Sequence, residues 1–220
     1  MHLYIAYKNY SSWSLRPWLL MRVAGIDFDE TLFPFDHNDA LERFAASHRI
    51  PPQVPVLVDG GCVIWDSLAI MEYLAERYPE HRLWPQDAGL RVLARCASAE
   101  MHSSFQALRS QHPMNCRTGR QVAPSVDVRR ELARLKTLWE LFGQAARPAG
   151  EFLCGPFGIV DAMYAPVMWR VVGYGLEVSE PFARWCRALQ ALPAMQAWLA
   201  AAREEPWQLA QYERIGEPLS

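Results

Sequence analysis

Three serines stand within four positions near the start of the chain. In the stretch NYSSWSLRPW, Ser11, Ser12 and Ser14 follow a short apolar run and precede apolar residues at helical spacing. A junction between a loop and a helix needs one serine as a cap, so another of these hydroxyls is a candidate for chemistry. A hydroxyl at the start of a helix, with the free helix amides nearby, can stabilise a bound anion such as a thiolate.

The composition predicts a globular protein with a sizeable core. The chain has 220 residues, 51% of them hydrophobic, and carries 22 basic against 24 acidic residues. This length allows one large domain or two smaller ones. No basic block of the kind that grips phosphates is present, so we expect no nucleic-acid partner.

Cysteine usage and hydropathy indicate a soluble cytoplasmic protein. The five cysteines are scattered and form no C-x-x-C pair, which is typical of reduced cytosolic thiols and predicts no metal site. The N-terminal apolar run is too short for a signal peptide. The most apolar later segment, 162–178, is interrupted by Arg170, so we expect no membrane span.

The hydrophobic periodicity differs between the first and the second part of the chain. Residues 1–79 predict the order β-α-β-α-β-β-α, whereas residues 88–220 predict helices alone, with 80–87 as a linker. In the first part Gly25 ends the first helix, and Asp59-Gly60-Gly61 suits a hairpin turn. The predicted strands are 3–7, 28–35, 56–58 and 62–65, and the predicted later helices are 88–110, 127–146, 159–172, 181–192 and 195–203.

Four motifs in this order resemble the cytosolic glutathione transferases over nearly the whole chain. SSWSLR, QVPVL and DSLAIMEYLAERYP are similar to the SSCSWR, QVP-x-L and QSLAI-x-EYL motifs of the zeta class. LCGPFGIVDAMYAP resembles the family's buried G-x-x-[ST]-x-x-D box, with Gly158 in place of Ser or Thr and Asp161 retained. The resemblance implies a thioredoxin-like α/β domain followed by an all-α helical bundle, glutathione as co-substrate, a homodimer and a role in detoxification.

The resemblance also implies a glutathione-binding set. Pro55 would follow a cis peptide bond, and the backbone of Val54 would pair with the cysteinyl unit of glutathione, with Gln53 alongside. Asp66 and Ser67, at the start of a helix, would hold the ammonium and the carboxylate of the γ-glutamyl end. Without the resemblance, a plain helix start explains the last two residues.

A transferase of this kind must activate the glutathione thiol. An ordinary thiol has a pKa near 8.5, and lowering it by ~2 units requires about 2.7 kcal/mol, within reach of one hydroxyl hydrogen bond and the helix dipole. Alignment with the zeta motif selects Ser11 as the activating hydroxyl, whereas counting back from Arg16 selects Ser12. Ser14 is interpreted as the helix cap. Tyr7 and Tyr10 are rival candidates, because several classes use a tyrosine at the end of the first strand.

The second substrate is expected to bind between the two parts. On a single helix over 88–110, His102, Phe105 and Arg109 share one face and are candidates for this electrophile site, while Met101 and Leu108 belong to the core. Trp13 is the fourth candidate. It stands where zeta enzymes carry a cysteine that matters to their isomerase reaction, and this substitution disfavours maleylacetoacetate isomerase activity.

The sequence therefore predicts a metal-free glutathione transferase that directs the glutathione thiolate at a small electrophile. Three alternatives stay open: a zeta-like isomerase, a glutathione-dependent disulfide reductase using the serine loop, and a non-catalytic glutathione-binding protein.

Overall fold

The N-terminal part is a four-stranded mixed sheet with helices. The computed structural model describes residues 1–35 and 39–215; residues 36–38 and 216–220, the latter within the predicted helical domain, lie outside the described residues. The strands run in the order β2-β1-β3-β4, with β1 parallel to β2 and the other pairs antiparallel. The predicted order of elements is confirmed: β1 His2–Ile5, α1 Ser12–Ala24, β2 Asp29–Leu32, α2 Asp39–His48, β3 Val56–Asp59, β4 Cys62–Trp65 and α3 Ser67–Arg77.

Two glycines end elements where the sequence predicts. Gly25 closes α1 with φ 69°, in the left-handed region that a residue without Cβ enters at little cost. Gly60 has φ 57° and joins β3 to β4 together with Gly61. The turn fixes the register of the hairpin, so β4 ends at Trp65, directly before Asp66.

The second part of the described chain contains helices and one isolated β-bridge. A short 3-10 helix, Pro79–His81, precedes it. The helices are α4 Ala88–Ser103, α5 Gln106–Gln111, α6 Val126–Gln144, α7 Ile159–Tyr174, α8 Glu180–Ala191, α9 Pro193–Glu204 and α10 Ala210–Glu213, and the bridge joins Phe152 to Gly155.

The prediction of one continuous helix over 88–110 is wrong. Helix α4 ends at Ser103, and Phe105 adopts φ 63°, a left-handed conformation that interrupts the helix. The carboxylate of Glu131 accepts hydrogen bonds from the amides of Ala107 and Leu108 (3.1 and 2.7 Å). A negative charge at these free amides stabilises a new helix start, and the contact is made by a residue remote in sequence.

Helix α7 lies at the centre of the core and packs against α1 and α4. At its start Asp161 is buried and accepts hydrogen bonds from Leu153 N, Gly158 N and Trp185 Nε1 (3.0, 3.1 and 2.8 Å). A Cβ on Gly158 would lie 2.9 Å from the carbonyl oxygen of Leu83, which explains glycine at this position.

In the part of the chain that the structure describes, no helix is long and apolar enough to cross a membrane.

Candidate functional site

One cavity of about 910 Å³ lies between the sheet end of the first part and the helices of the second. It brings together residues from the serine loop, from the loop before β3, from the start of α3 and from α4, α5 and α7. Most of the predicted site residues line it: Ser11, Ser12, Trp13, Gln53, Val54, Pro55, Asp66, Ser67, His102 and Arg109. No cysteine lines it among the described residues.

The three serines at the start of α1 have different surroundings. Ser11 occupies the N-cap position, but its side chain makes no capping hydrogen bond. Its hydroxyl donates to Ser14 Oγ (2.7 Å), and Ser14 Oγ also accepts from the amide of Ala6 (3.2 Å). The interpretation of Ser14 as the cap is therefore wrong, because this fully buried residue links α1 to the end of β1. Ser12 lines the cavity, and among the described residues no hydrogen bond engages its hydroxyl.

Both rival tyrosines pack against the C-terminal segment, residues 205–215. Tyr7 stacks on Trp207 with ring centroids 4.5 Å apart. The hydroxyl of Tyr10 donates to Glu213 and accepts from Arg117 Nη2 (3.0 Å) and Leu209 N (3.2 Å). Burial, followed by the hydrogen bond to Glu213, raises the pKa of Tyr10. Its hydroxyl is thus fully occupied without a ligand.

The start of α3 lines the cavity and carries one unpaired polar group. The Val54–Pro55 peptide bond is cis, as predicted, and both residues line the cavity. Asp66 caps α3: its Oδ1 accepts from the amides of Leu68 and Ala69 (2.8 and 3.2 Å), so these amides are engaged. The Ser67 hydroxyl is buried and has no hydrogen-bond partner among the described residues. A bound acceptor would satisfy it.

The residues predicted for the electrophile site do not share one helix face in the structure. His102 Nε2 lies 2.6 Å from Asp66 Oδ2, and its ring meets Trp13 edge-on at 5.3 Å. Because the helix breaks at Phe105, His102 and Arg109 lie on different helices. Phe105 is a core residue that packs edge-on against Tyr164 and does not line the cavity. Met101 and Leu108 are buried, as predicted.

Two guanidinium groups contact the Trp13 ring. The Cζ atoms of Arg16 and Arg109 lie 4.0 and 4.8 Å from its centroid. Arg16 is buried and donates from Nε to Met163 O (3.1 Å), while Arg109 donates from Nε to Ser104 O (2.9 Å) and from Nη2 to Met101 O. Burial lowers the pKa of both groups. Trp13 and Arg109 therefore form one stacked unit in the cavity wall.

Arg170 is a site residue that sequence reasoning missed. It lies in the apolar helix α7 and lines the cavity, with Nη1 donating to Arg109 O and His112 O (3.0 and 2.7 Å). Burial and the charge of Arg109 lower the pKa of Arg170 to about 10. Within residues 1–35 and 39–215, no carboxylate forms an ion pair with Arg16, Arg109 or Arg170. An arginine inside an otherwise apolar helix was the available signal.

Comparison with known proteins agrees with this geometry. Residues 10–77 match the family model described as "Glutathione S-transferase, N-terminal domain". Residues 10–77 therefore belong to the glutathione transferase N-terminal domain family. The chain is 29% identical to Glutathione S-transferase 1 of Dianthus caryophyllus over 82% of its own length and 81% of that protein. It is 35% identical to Maleylacetoacetate isomerase of Mus musculus, over 49% of its own length and 50% of that enzyme.

Solved structures confirm the glutathione transferase fold, a thioredoxin-like domain followed by a helical part. A glutathione transferase homolog from Burkholderia with bound glutathione has a TM-score of 0.68 and 21% identity, covering 92% of this chain and 97% of that one. A bacterial Maleyl Pyruvate Isomerase of the zeta class has a TM-score of 0.70 and 19% identity, covering 93% and 99%. At these identities the likeness concerns the fold.

Proposed function

We propose that this protein is a glutathione transferase that stabilises the thiolate of bound glutathione with Ser11 or Ser12 and directs it at a small electrophile. The observation that carries the proposal is that two serine hydroxyls at the start of α1 line the same cavity as Val54 and the unpaired Ser67 hydroxyl. One ligand can therefore contact all of them. The proposal includes a cytoplasmic homodimer that uses no metal, as is typical of the family.

Glutathione would bind along the first part of the chain. The backbone of Val54 would pair with the cysteinyl unit, with Gln53 alongside. The Ser67 hydroxyl would donate to the γ-glutamyl carboxylate, and the Asp66 carboxylate would accept the ammonium group. In the free protein Asp66 Oδ2 is bonded to His102, so the ammonium would share this oxygen or displace the imidazole.

The chemistry requires a thiolate and a leaving group. With an aryl chloride, the thiol proton passes to solvent and the thiolate sulfur forms a bond to the ring carbon. The carbon–chlorine bond breaks, and chloride leaves with the bonding electron pair. The serine hydroxyl donates a hydrogen bond to sulfur throughout and is not consumed. This donation and the positive end of the α1 dipole both lower the thiol pKa.

The two serines could act in different ways. The Ser12 hydroxyl is free to donate directly to sulfur. The Ser11 hydroxyl donates to Ser14, but rotation of the two hydroxyl hydrogens would let Ser14 donate to Ser11 and Ser11 donate to sulfur. In that case Ala6 N–H, Ser14 and Ser11 form a chain of hydrogen bonds whose members polarise one another.

The test is the pH titration of thiolate absorbance for glutathione bound to wild type, Ser11→Ala and Ser12→Ala. The proposal expects a bound thiol that ionises well below its solution value, with the solution value restored in one variant. If glutathione binds but its thiol titrates as in water, serine activation is wrong and the protein is a glutathione binder.

A second candidate function is glutathione-dependent isomerisation of an acidic substrate. Arg109 and Arg170 both line the cavity, and among the described residues no carboxylate forms an ion pair with either of them. This arrangement favours an anionic second substrate. Relatives named maleylacetoacetate isomerase support this candidate. Trp13 in place of the zeta cysteine argues against it. An assay that follows conversion of a cis (maleyl) to a trans double bond with glutathione recovered unchanged, against one that follows consumption of glutathione by conjugation, separates the two.

A further inference from the structure

The backbone that leads into the serine loop is held by residues far away in sequence. Asn9 is fully buried, and its side chain donates to Asn115 Oδ1 (3.0 Å) and accepts from the amide of Arg117 (3.1 Å). Its carbonyl oxygen accepts from the amide of Cys116 (3.2 Å). Ser11 lies two residues further on, so the helical part of the chain determines where this serine stands.

Glu205 completes this attachment from the other side. It follows the last residue of α9, and its carboxylate accepts from two consecutive amides: Oε1 from Lys8 N (2.6 Å) and Oε2 from Asn9 N (3.0 Å). Both oxygens are used in charge-assisted hydrogen bonds, which are stronger than bonds between neutral groups. A single side chain therefore fixes the direction of the backbone as it leaves β1.

The cations near Glu205 are engaged elsewhere. Lys8 Nζ bonds to Glu30 on β2. Arg117 donates from Nη1 to the carbonyl oxygen of Glu205 (2.8 Å) and from Nη2 to Trp207 O (2.8 Å) and the Tyr10 hydroxyl (3.0 Å). Among the described residues neither cation forms an ion pair with the Glu205 carboxylate, so the two amides are its direct partners. Burial raises its pKa.

The turn between Glu205 and the serine is short and tightly bonded. The amides of Tyr10 and Ser11 both donate to Tyr7 O (3.1 and 2.8 Å), and the amide of Ser12 donates to Tyr10 O (2.9 Å). We expect these bonds to transmit a shift at Lys8 or Asn9 to the serine hydroxyls. A displacement of about 1 Å at a reacting centre can cost on the order of a hundredfold in rate.

We infer that Glu205 is a positioning residue, whose carboxylate holds the Lys8–Asn9 backbone so that the serine hydroxyls meet the glutathione sulfur. The inference rests on the proposed function. Glu205 lies on the C-terminal segment, whereas the proposed glutathione-binding residues lie between Gln53 and Ser67. Its loss should therefore weaken thiol activation more than glutathione binding.

The experiment compares Glu205→Gln with Glu204→Gln. Glutamine has the same shape but one acceptor oxygen, so it cannot satisfy both amides and it turns an NH₂ group toward one of them. Glu204 is the adjacent residue and is exposed, which makes it a matched control for the loss of one charge. Three quantities are measured: amide hydrogen exchange of residues 8–12, the pKa of the bound glutathione thiol, and kcat and KM with chlorodinitrobenzene.

For Glu205→Gln we expect faster exchange in residues 8–12, a bound thiol pKa nearer its solution value, and a kcat about tenfold lower with KM for glutathione changed less than about twofold. Glu204→Gln should match wild type in all three. Arg117→Lys, which removes the forked contact to residues 205 and 207, should change the same quantities in the same direction.

Two results overturn the inference. One is unchanged exchange in Glu205→Gln, and the other is faster exchange with an unchanged thiol pKa and kcat. If the thiol bound to wild type already titrates as in water, the proposed function fails instead. The exchange data then still decide whether Glu205 orders the loop.

Discussion

His102 Nε2 and Asp66 Oδ2 are 2.6 Å apart, and this contact joins the end of α4 to the N-cap of α3. Asp66 thus has two separate tasks, since its other oxygen caps α3. Asp66 lines the cavity that the proposal assigns to glutathione. The two tasks can be separated by substitution.

We expect Asp66→Asn to weaken glutathione binding about tenfold while largely retaining stability, because the amide oxygen can still cap α3 but the charge that attracts the ammonium is lost. Asp66→Ala should lose both, with about 1 kcal/mol of unfolding free energy. Calorimetric titration and urea unfolding measure the two effects. Asp87→Ala is the matched control, because Asp87 caps α4 through Leu90 N (2.7 Å) and does not line the cavity. An equal loss of affinity in that variant would contradict a direct role for Asp66.

Ser14→Ala distinguishes the two serine mechanisms. If Ser11 activates sulfur through the chain of hydroxyls, removing Ser14 should raise the bound thiol pKa by about 1 unit, because the polarising neighbour is lost. If Ser12 donates directly, the bound thiol pKa should stay within about 0.3 units of wild type. Thiolate absorbance against pH gives the answer, with Ser110→Ala on the exposed side of α5 as control.

Asp161 should be among the most destabilising positions to truncate. Asp161→Ala leaves the N–H groups of Leu153, Gly158 and Trp185 unsatisfied in the core, each at a cost of about 1–3 kcal/mol. We expect a loss of about 3–5 kcal/mol in urea unfolding. Asp127→Ala, at an exposed position in the first turn of α6, should cost less than about 1 kcal/mol. Similar losses at both positions would exclude the buried network as the cause.

The same carboxyl predicts a pH dependence. Burial raises the pKa of Asp161 to about 6 from an ordinary 3.8, so the folded protein binds this proton more tightly than the unfolded chain does. Stability contributed by the group is therefore greatest below pH 3.8 and decreases as pH rises through about 6. Relative to Asp161→Asn, which does not titrate, wild type should lose up to about 3 kcal/mol over this window. A constant difference between the two proteins would contradict the raised pKa.

Local signals allowed much of the fold to be predicted, and remote contacts explain the failures. Gly25 and Pro55 act through their own backbone, and their effects are visible in the sequence. The helix start after Phe105 depends on Glu131, which is 26 residues away along the chain from the phenylalanine. Asp66 lies in a motif and could be predicted from it. Arg170 and Glu205 lie in none of the motifs, and only the folded chain brings Arg170 to the cavity and Glu205 to the serine loop.

The arginine pair gives the last prediction. Two substrates are compared that differ in one group, a chlorodinitrobenzoate and the corresponding benzamide. Wild type should favour the carboxylate by about tenfold or more in kcat/KM, because the positive charges of Arg109 and Arg170 line the cavity and form no ion pair with a carboxylate among the described residues. Arg109→Gln should remove most of that preference and leave the benzamide reaction within about threefold of wild type, while Arg109→Lys should retain part of it. Arg134→Gln, whose guanidinium pairs with Glu100 at an exposed site, controls for the loss of one positive charge. Equal preference for the two substrates in wild type would mean that the pair serves the structure of the cavity wall and not the recognition of an anion.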